Sequence, residues 1–444
     1  MGATFLRWGG ELPASATRRR PEDHKALGKF CATLAFLLSA AASAAAADEP
    51  PSGPWVERWL AQPTLTGNWF GARDRLVALG ITPSISYQTD LQANPIGGQR
   101  QGKAYAGQLG AGVTLDLEKL AGLQGLSFNV SGNWASGTEL SSTIGNELEV
   151  AQAFDGRQVR LYTLLLQQTF FDDRLDIKLG RFATSDDFLS GLALLNLSVV
   201  NGSMNPTLTA VQINVPSVTE GPNATWAGRI IVRPTGGLSL AAGAYYSDPT
   251  LDQLTASGTE FGIDTRNGYF LIGNVGYDLN QEKGAAGLPG RYRAGGYYDS
   301  NRYASFTDPG RQQRGNYGFY VTGEQMVYRE GEAPSQQGLT VFATFIYAPR
   351  QSINTMPYFA SAGLGYQGLL PGRDNDVSGF ALYYGGFSRD LPGQTYELVL
   401  EWTYAIAVTP WLVVQPDLQY VIKPNGQSSV PNALVVGGQF TVRF

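Results

Sequence analysis

The side chains able to do chemistry in this chain are carboxylates, guanidiniums and phenols. The only Cys and the only His, Cys31 and His24, both lie near the start. Past that start there is no thiol nucleophile, and no disulfide framework, Cys/His zinc site or Ser-His-Asp triad can be assembled. A barrel enzyme of the lipase or protease type relies on a His base, so no catalytic residue, metal ligand or cofactor is expected. The chain does have 32 Lys+Arg, 37 Asp+Glu and 22 Tyr to offer a neutral, hydroxyl-rich solute. Paired charges hydrogen-bond hydroxyls, and aromatic faces stack on apolar ring faces. A net charge of −5 with 16% charged residues excludes a basic nucleic-acid binder. The 55 glycines and 11% aromatics suit a turn-rich β protein, not a coiled coil or a disordered tail.

Such residues need elements to place them. Residues 1–47 read as an export signal. Arg18, Arg19, Arg20, Lys25 and Lys29 supply its cationic part and Phe30 to Leu38 its apolar part, with small-residue cleavage sites after Ala46 or Ala47. No run of 18 apolar residues follows, so no spanning helix is expected. Period-two alternation follows instead. In the last strand Leu434, Val436, Phe440, Val442 and Phe444 share one face, and Gln439, Thr441 and Arg443 the other. That run is long enough for a tilted membrane strand of about 9–11 residues. Trp134, Tyr246, Tyr366, Trp402, Tyr404 and Tyr420 close apolar faces elsewhere, as interfacial girdles do.

Sixteen such runs can be placed between 82–92 and 432–444, the even number that a single-chain barrel requires. The expected fold is all-β: a 16-stranded antiparallel transmembrane outer-membrane β-barrel over 81–444, with a short N-terminal helix. A seventeenth run, 206–215, is assigned with 186–205 to one long loop that folds inward. Residues 48–80 form an N-terminal periplasmic or plug segment, extended at Pro50, Pro51 and Pro54. It then turns helical over Asn68 to Leu79, with Asn68 as N-cap and Gly80 as stop. This segment either packs as a plug or foot, or sends Arg73 into the permeation path.

Strand parity nominates Asp90, Glu118, Asp116, Asn129, Asp176, Lys178, Arg291, Arg293, Glu324, Glu397, Glu401 and Asp417 as inward. Position singles out a few of them and adds others. Asp186 and Asp187 open the long loop. Arg181 just before them falls on the lipid side with Leu175, Ile177 and Leu179. A midplane Arg facing lipid costs roughly 2–4 kcal/mol, so a bulge at Gly180 or the strand end should re-aim it. Tyr320 shares an inward face with Glu324, and Tyr383 offers a lumen-facing ring. The candidate constriction set is therefore Arg73, Asp90, Arg181, Asp186, Asp187, Tyr320, Glu324 and Tyr383.

The sequence resembles the carbohydrate-selective porins of the OprB type. The strings that carry the resemblance are LTGNWFGARDRLVALGI (65–81), KLGRFATSDDF (178–188), YYDSNRYASFTD (297–308), EQMVYRE (324–330), GLTVFATFIYAP (338–349), GLLPGRDNDVSGFALYYGGFS (368–388) and VTPWLVVQPDLQYVIKPNG (408–426). The resemblance implies a Gram-negative outer-membrane channel through which sugars of the glucose type diffuse passively. Other small polar solutes, such as organic acids or polyols, are the alternative. Relatives often carry cysteines after the SDDF string, whereas Ser190 to Gly202 has none. The expected partners are sugars, outer-membrane lipid or lipopolysaccharide, and the barrel-assembly machinery through Phe444. The barrel is a monomer or homo-oligomer, without nucleic acid. A soluble secreted polysaccharide-binding protein is the reading from a different class.

Overall fold

The computed structural model describes residues 54–444, apart from 154, 155, 157, 189–198, 203–208, 249, 250, 252–255, 265, 283, 284, 309 and 334. The expected export signal lies outside the described residues. Alternation of apolar and polar residues produces sixteen strands: β1 (Ile81–Ile96), β2 (Gly102–Asp116), β3 (Leu126–Thr138), β4 (Gln158–Phe170), β5 (Leu175–Phe182), β6 (Thr225–Thr235), β7 (Leu238–Tyr246), β8 (Tyr269–Leu279), β9 (Gly290–Ala304), β10 (Gln312–Arg329), β11 (Gly338–Tyr347), β12 (Tyr358–Gln367), β13 (Val377–Gly386), β14 (Tyr396–Thr409), β15 (Leu412–Ile422) and β16 (Ala433–Arg443). Each pairs antiparallel with its sequence neighbour, and β1 pairs with β16 to close the barrel. Closure leaves no unpaired edge.

The outer face is greasy. Leu91, Leu166, Leu179, Leu271, Val321, Phe345, Phe380 and Leu418 are all exposed on it, with Trp134, Trp402 and Tyr420. A continuous apolar band of that size belongs against acyl chains. The apolar core lies inside the barrel instead. Leu140, Ile144, Leu148 and Val150 from the β3–β4 loop join Val199, Val211, Val215 and Val218 from the β5–β6 loop against inward side chains such as Phe182, Tyr245 and Phe270. The described parts of the long loop thus lie inward, as expected. In the seventeenth run, 206–215, a short helix forms over Thr209–Asn214, and there is no strand among its described residues.

Strand ends and the N-terminal segment differ from expectation. β9 runs on to Ala304 and β10 starts at Gln312, so the connection between them is short. The helix expected from Asn68 begins only at Ala72, because Trp69, Phe70 and Gly71 all take positive φ. Asn68 still serves the helix, its side-chain oxygen accepting the Asp74 N–H at 3.1 Å. Gly80 ends it at φ +91°, where a side chain would collide with Asp116. A second helix, Trp55–Leu60, was not expected. Trp59 packs on Trp411 in the β14–β15 turn, ring centroids 5.0 Å apart.

Candidate functional site

Two inward loops define the lumen, and the wall of β13–β16 with β1 holds them. Glu397 accepts the Glu147 and Leu148 N–H groups at 3.0 and 2.7 Å. Glu401 accepts those of Val200 and Asn201, the latter at 3.0 Å, and the Tyr383 hydroxyl donates to its other oxygen. Asp90 accepts the N–H groups of Gln152 and Ala153 at 2.9 and 2.7 Å, and the Gln439 amide at 3.0 Å. Asp417 takes the amides of Gln92 and Gln419, which also donate to the Val150 carbonyl at 2.6 and 2.7 Å. Burying a carboxylate is costly unless hydrogen bonds replace its water. Here loop backbone supplies many of those bonds, so the wall and both loops satisfy each other.

The β5–β10 wall uses its acids differently. Arg229 bridges Asp176 at 2.8 Å and Asp187 at 2.9 Å, and Lys178 reaches Asp187 at 2.8 Å. Further round, Arg293 pairs with Asp278 at 2.7 Å. Glu324 stands opposite Arg291 in the ladder, with one carboxylate oxygen buried and unpartnered among the described residues. Asp186 receives the Tyr162 hydroxyl and caps the Ala183 N–H at 3.0 Å. Lost hydration inside the barrel pushes its carboxyl up, by more than Tyr162, Lys178 and Ala183 pull it down. The far end of the long loop is tied to this side. Ser217 donates to Asp299 at 2.6 Å, and Asn214 exchanges two hydrogen bonds with the Met356 backbone.

Between these walls, β1–β4 carry hydroxyls and amides. A 740 Å³ cavity is lined there by Ser84, Ser86, Gln88, Gln108, Ser131 and Asn133, with Gln152 and Tyr162. Asn133 is buried, and its side-chain oxygen has no partner among the described residues. Arg73 and Phe444 lie at one rim of the cavity.

The expected constriction residues therefore separate. Asp186, Asp187, Tyr320 and Glu324 sit together on the β4–β10 side of the lumen. Tyr320 is buried, its hydroxyl accepting from the Asn274 amide at 3.0 Å. Asp90 lies across the barrel as a loop anchor. Tyr383 is inward but wholly covered, and supports Glu401 without offering a ring to solute. Arg73 borders the cavity, yet its guanidinium is committed. It stacks 4.3 Å over Trp69, donates to Thr64 and reaches the Phe444 main-chain oxygen at 2.7 Å.

Arg181 corrects the bulge expectation. The β4–β5 and β5–β6 ladders run through Gly180 without a register shift, so Arg181 keeps its outward parity. The β7–β8 loop folds over it instead. Arg181 donates to the Glu260 and Ala224 carbonyls at 3.3 and 2.8 Å and lies 5.8 Å from the Phe261 ring. Glu118 also leaves the inward set, because β2 ends at Asp116, which caps a short helix over Leu117–Ala121. The anchors Glu397, Glu401 and Asp417 belong to the inward set that strand parity nominates but not to the candidate constriction set. Their signal is an acid on alternate or fourth positions of otherwise apolar strands.

The model of the family described as "Carbohydrate-selective porin, OprB family" matches residues 100–444. Porin B of Pseudomonas aeruginosa is 27% identical over 466 aligned positions, covering 93% of this chain and 96% of that protein. The high-pH structure of Pseudomonas putida OprB superposes with a TM-score of 0.80 at 25% identity, over 86% of this chain and 99% of that one. The low-pH structure of the same protein gives 0.58 at 22% identity over the same shares.

Proposed function

The chain belongs to the OprB family of carbohydrate-selective porins, a channel of the Gram-negative outer membrane and not an enzyme, and from that premise we propose that its pore passes neutral, monosaccharide-sized sugars by passive diffusion. One observation carries this reading. Asp90, Glu397 and Glu401 are engaged with loop backbone on one side, and Asp176, Asp187 and Asp278 with cations on the other, beside a wall of hydroxyls and amides. A sugar ring can donate to and accept from such a wall without meeting a large net field. Solute contacts fall to Asp186, Glu324 and the amides of Gln88, Gln108 and Asn133. Organic acids would need uncompensated cations, and Asp176 and Asp187 compensate Arg229 and Lys178.

Phe444 is, in the same reading, the handle for barrel assembly. Its N–H donates to the Ile85 carbonyl at 3.0 Å, at the β1–β16 seam. Liposomes containing the purified protein test the solute assignment. Glucose should enter several-fold faster than gluconate, which matches it in size but carries a charge. Equal or faster entry of gluconate transfers the assignment to organic acids.

A further inference from the structure

We propose that the outer surface of the β8–β10 wall binds a phosphorylated, multiply acylated lipid of the lipid A type. Arg302 on β9 and Arg314 on β10 are directly opposite each other in the ladder, and both are exposed. Like charges in that arrangement repel and destabilise a sheet unless an anion lies between them. The neighbouring Tyr303 turns toward the lumen to reach Asp299 and Asn316, which points Arg302 the other way. Arg350 lies on the other face, where it donates to the side chain of Gln313, the ladder partner of Tyr303, at 2.8 Å. Arg311 is exposed in the same hairpin, and its N–H is held by the Asp308 carbonyl at 2.9 Å. None of Arg302, Arg311 and Arg314 has a carboxylate within ion-pair distance among the described residues.

Below the arginines the wall continues in the order that a lipid would require. Arg302 lies four residues beyond Tyr298, roughly 13 Å at about 3.3 Å per residue. Tyr298 packs with Tyr269, centroids 6.3 Å apart, and Tyr317 with Phe319 at 6.1 Å, an aromatic belt at the interface. Under the belt is a 710 Å³ apolar hollow, floored by Gly273, Gly296, Gly318 and Ala244 and flanked by Leu271 and Phe319. Cations, belt and trough thus line up with phosphate, glycan–acyl junction and acyl chain. A second copy of the barrel fits less well, because a two-fold pairing of this face would set arginine pair against arginine pair.

The test uses the full-length protein in neutral detergent, titrated with diphosphorylated or dephosphorylated lipid A and read by native mass spectrometry. The wild type should retain the diphosphorylated form at least tenfold more tightly than the dephosphorylated form. Arg302→Gln with Arg314→Gln should lose that preference. Ala244→Trp, filling the trough, should weaken both forms, with heat-modifiable gel mobility confirming that the barrel is intact. Three results each overturn the proposal: no preference for phosphate in the wild type, an unchanged preference in the double variant, or a bound mass equal to a second chain.

Discussion

The β13–β16 wall and the β5–β10 wall carry the same residue types in the same inward register but use them differently. Glu397, Glu401 and Asp90 accept backbone N–H groups from loops whose residues lie about 60 to 250 positions away in sequence. Asp176 and Asp278 instead neutralise cations on adjacent strands, and Asp187, in the loop after β5, neutralises Lys178 and Arg229. Inward parity therefore fixes where a carboxylate points, while its task depends on what the loops bring to it. On the first wall an acid shapes the pore by holding a loop in it. On the second it tunes the field that a solute meets.

Breaking the first wall should have the largest effect. Glu401→Ala strands the Val200 and Asn201 N–H groups and the Tyr383 hydroxyl, and each unsatisfied buried donor costs about 1–3 kcal/mol. The long loop should leave the wall, raising single-channel conductance several-fold, and Glu397→Ala should do the same for the β3–β4 loop. Conductance at the wild-type level in both variants would dissolve the distinction between the walls.

Breaking the second wall should change charge preference more than size. Arg229→Ala leaves Asp176 and Asp187 with less positive charge, so the cation-to-anion permeability ratio should rise in reversal-potential measurements. Conductance should change by less than twofold. Asp186→Ala or Glu324→Ala should leave charge preference and conductance near the wild-type level and alter glucose flux by up to twofold, without affecting heat-modifiable mobility. Unchanged flux in both removes these two residues from the solute path.

The smallest effect lies outside the lumen, at the β12–β13 turn. Burial would raise the Asp376 carboxyl, but Arg373, the Ala407 N–H and the Tyr404 hydroxyl outweigh it and hold the group below its ordinary value of 3.8. A depressed folded pKa stabilises the fold above that ordinary value, and the contribution fades as pH falls through the folded pKa. Thermal unfolding of the wild type should therefore lose a little stability as pH falls below 3.8, and Asp376→Asn should remove that step.

Much of the barrel was legible because a strand's two faces announce themselves every second residue. Residues such as Leu398, Leu400 and Trp402 against Glu397 and Glu401 fix a register without any tertiary knowledge. The N-terminal helix was legible only in part, because Trp69 and Phe70 adopt left-handed backbone that their residue types do not advertise. Arg181 shows a different limit. The cost of an outward arginine was readable, but a covering loop satisfies it where a bulge was expected, and nothing near Gly180 encodes the position of Glu260. The separation of Asp90 from Asp186 was illegible for the same reason. Only the folded loops show that Asp90 holds the backbone of the β3–β4 loop while Asp186 binds Tyr162 and the Ala183 N–H of its own segment.

A solute-size series in liposome swelling, from pentose through glucose to a trisaccharide, tests the difference between the walls most directly. Glu401→Ala should admit the trisaccharide that the wild type excludes, while Arg229→Ala should keep the wild-type cutoff. Identical cutoffs in both variants, whether shifted or not, would contradict it.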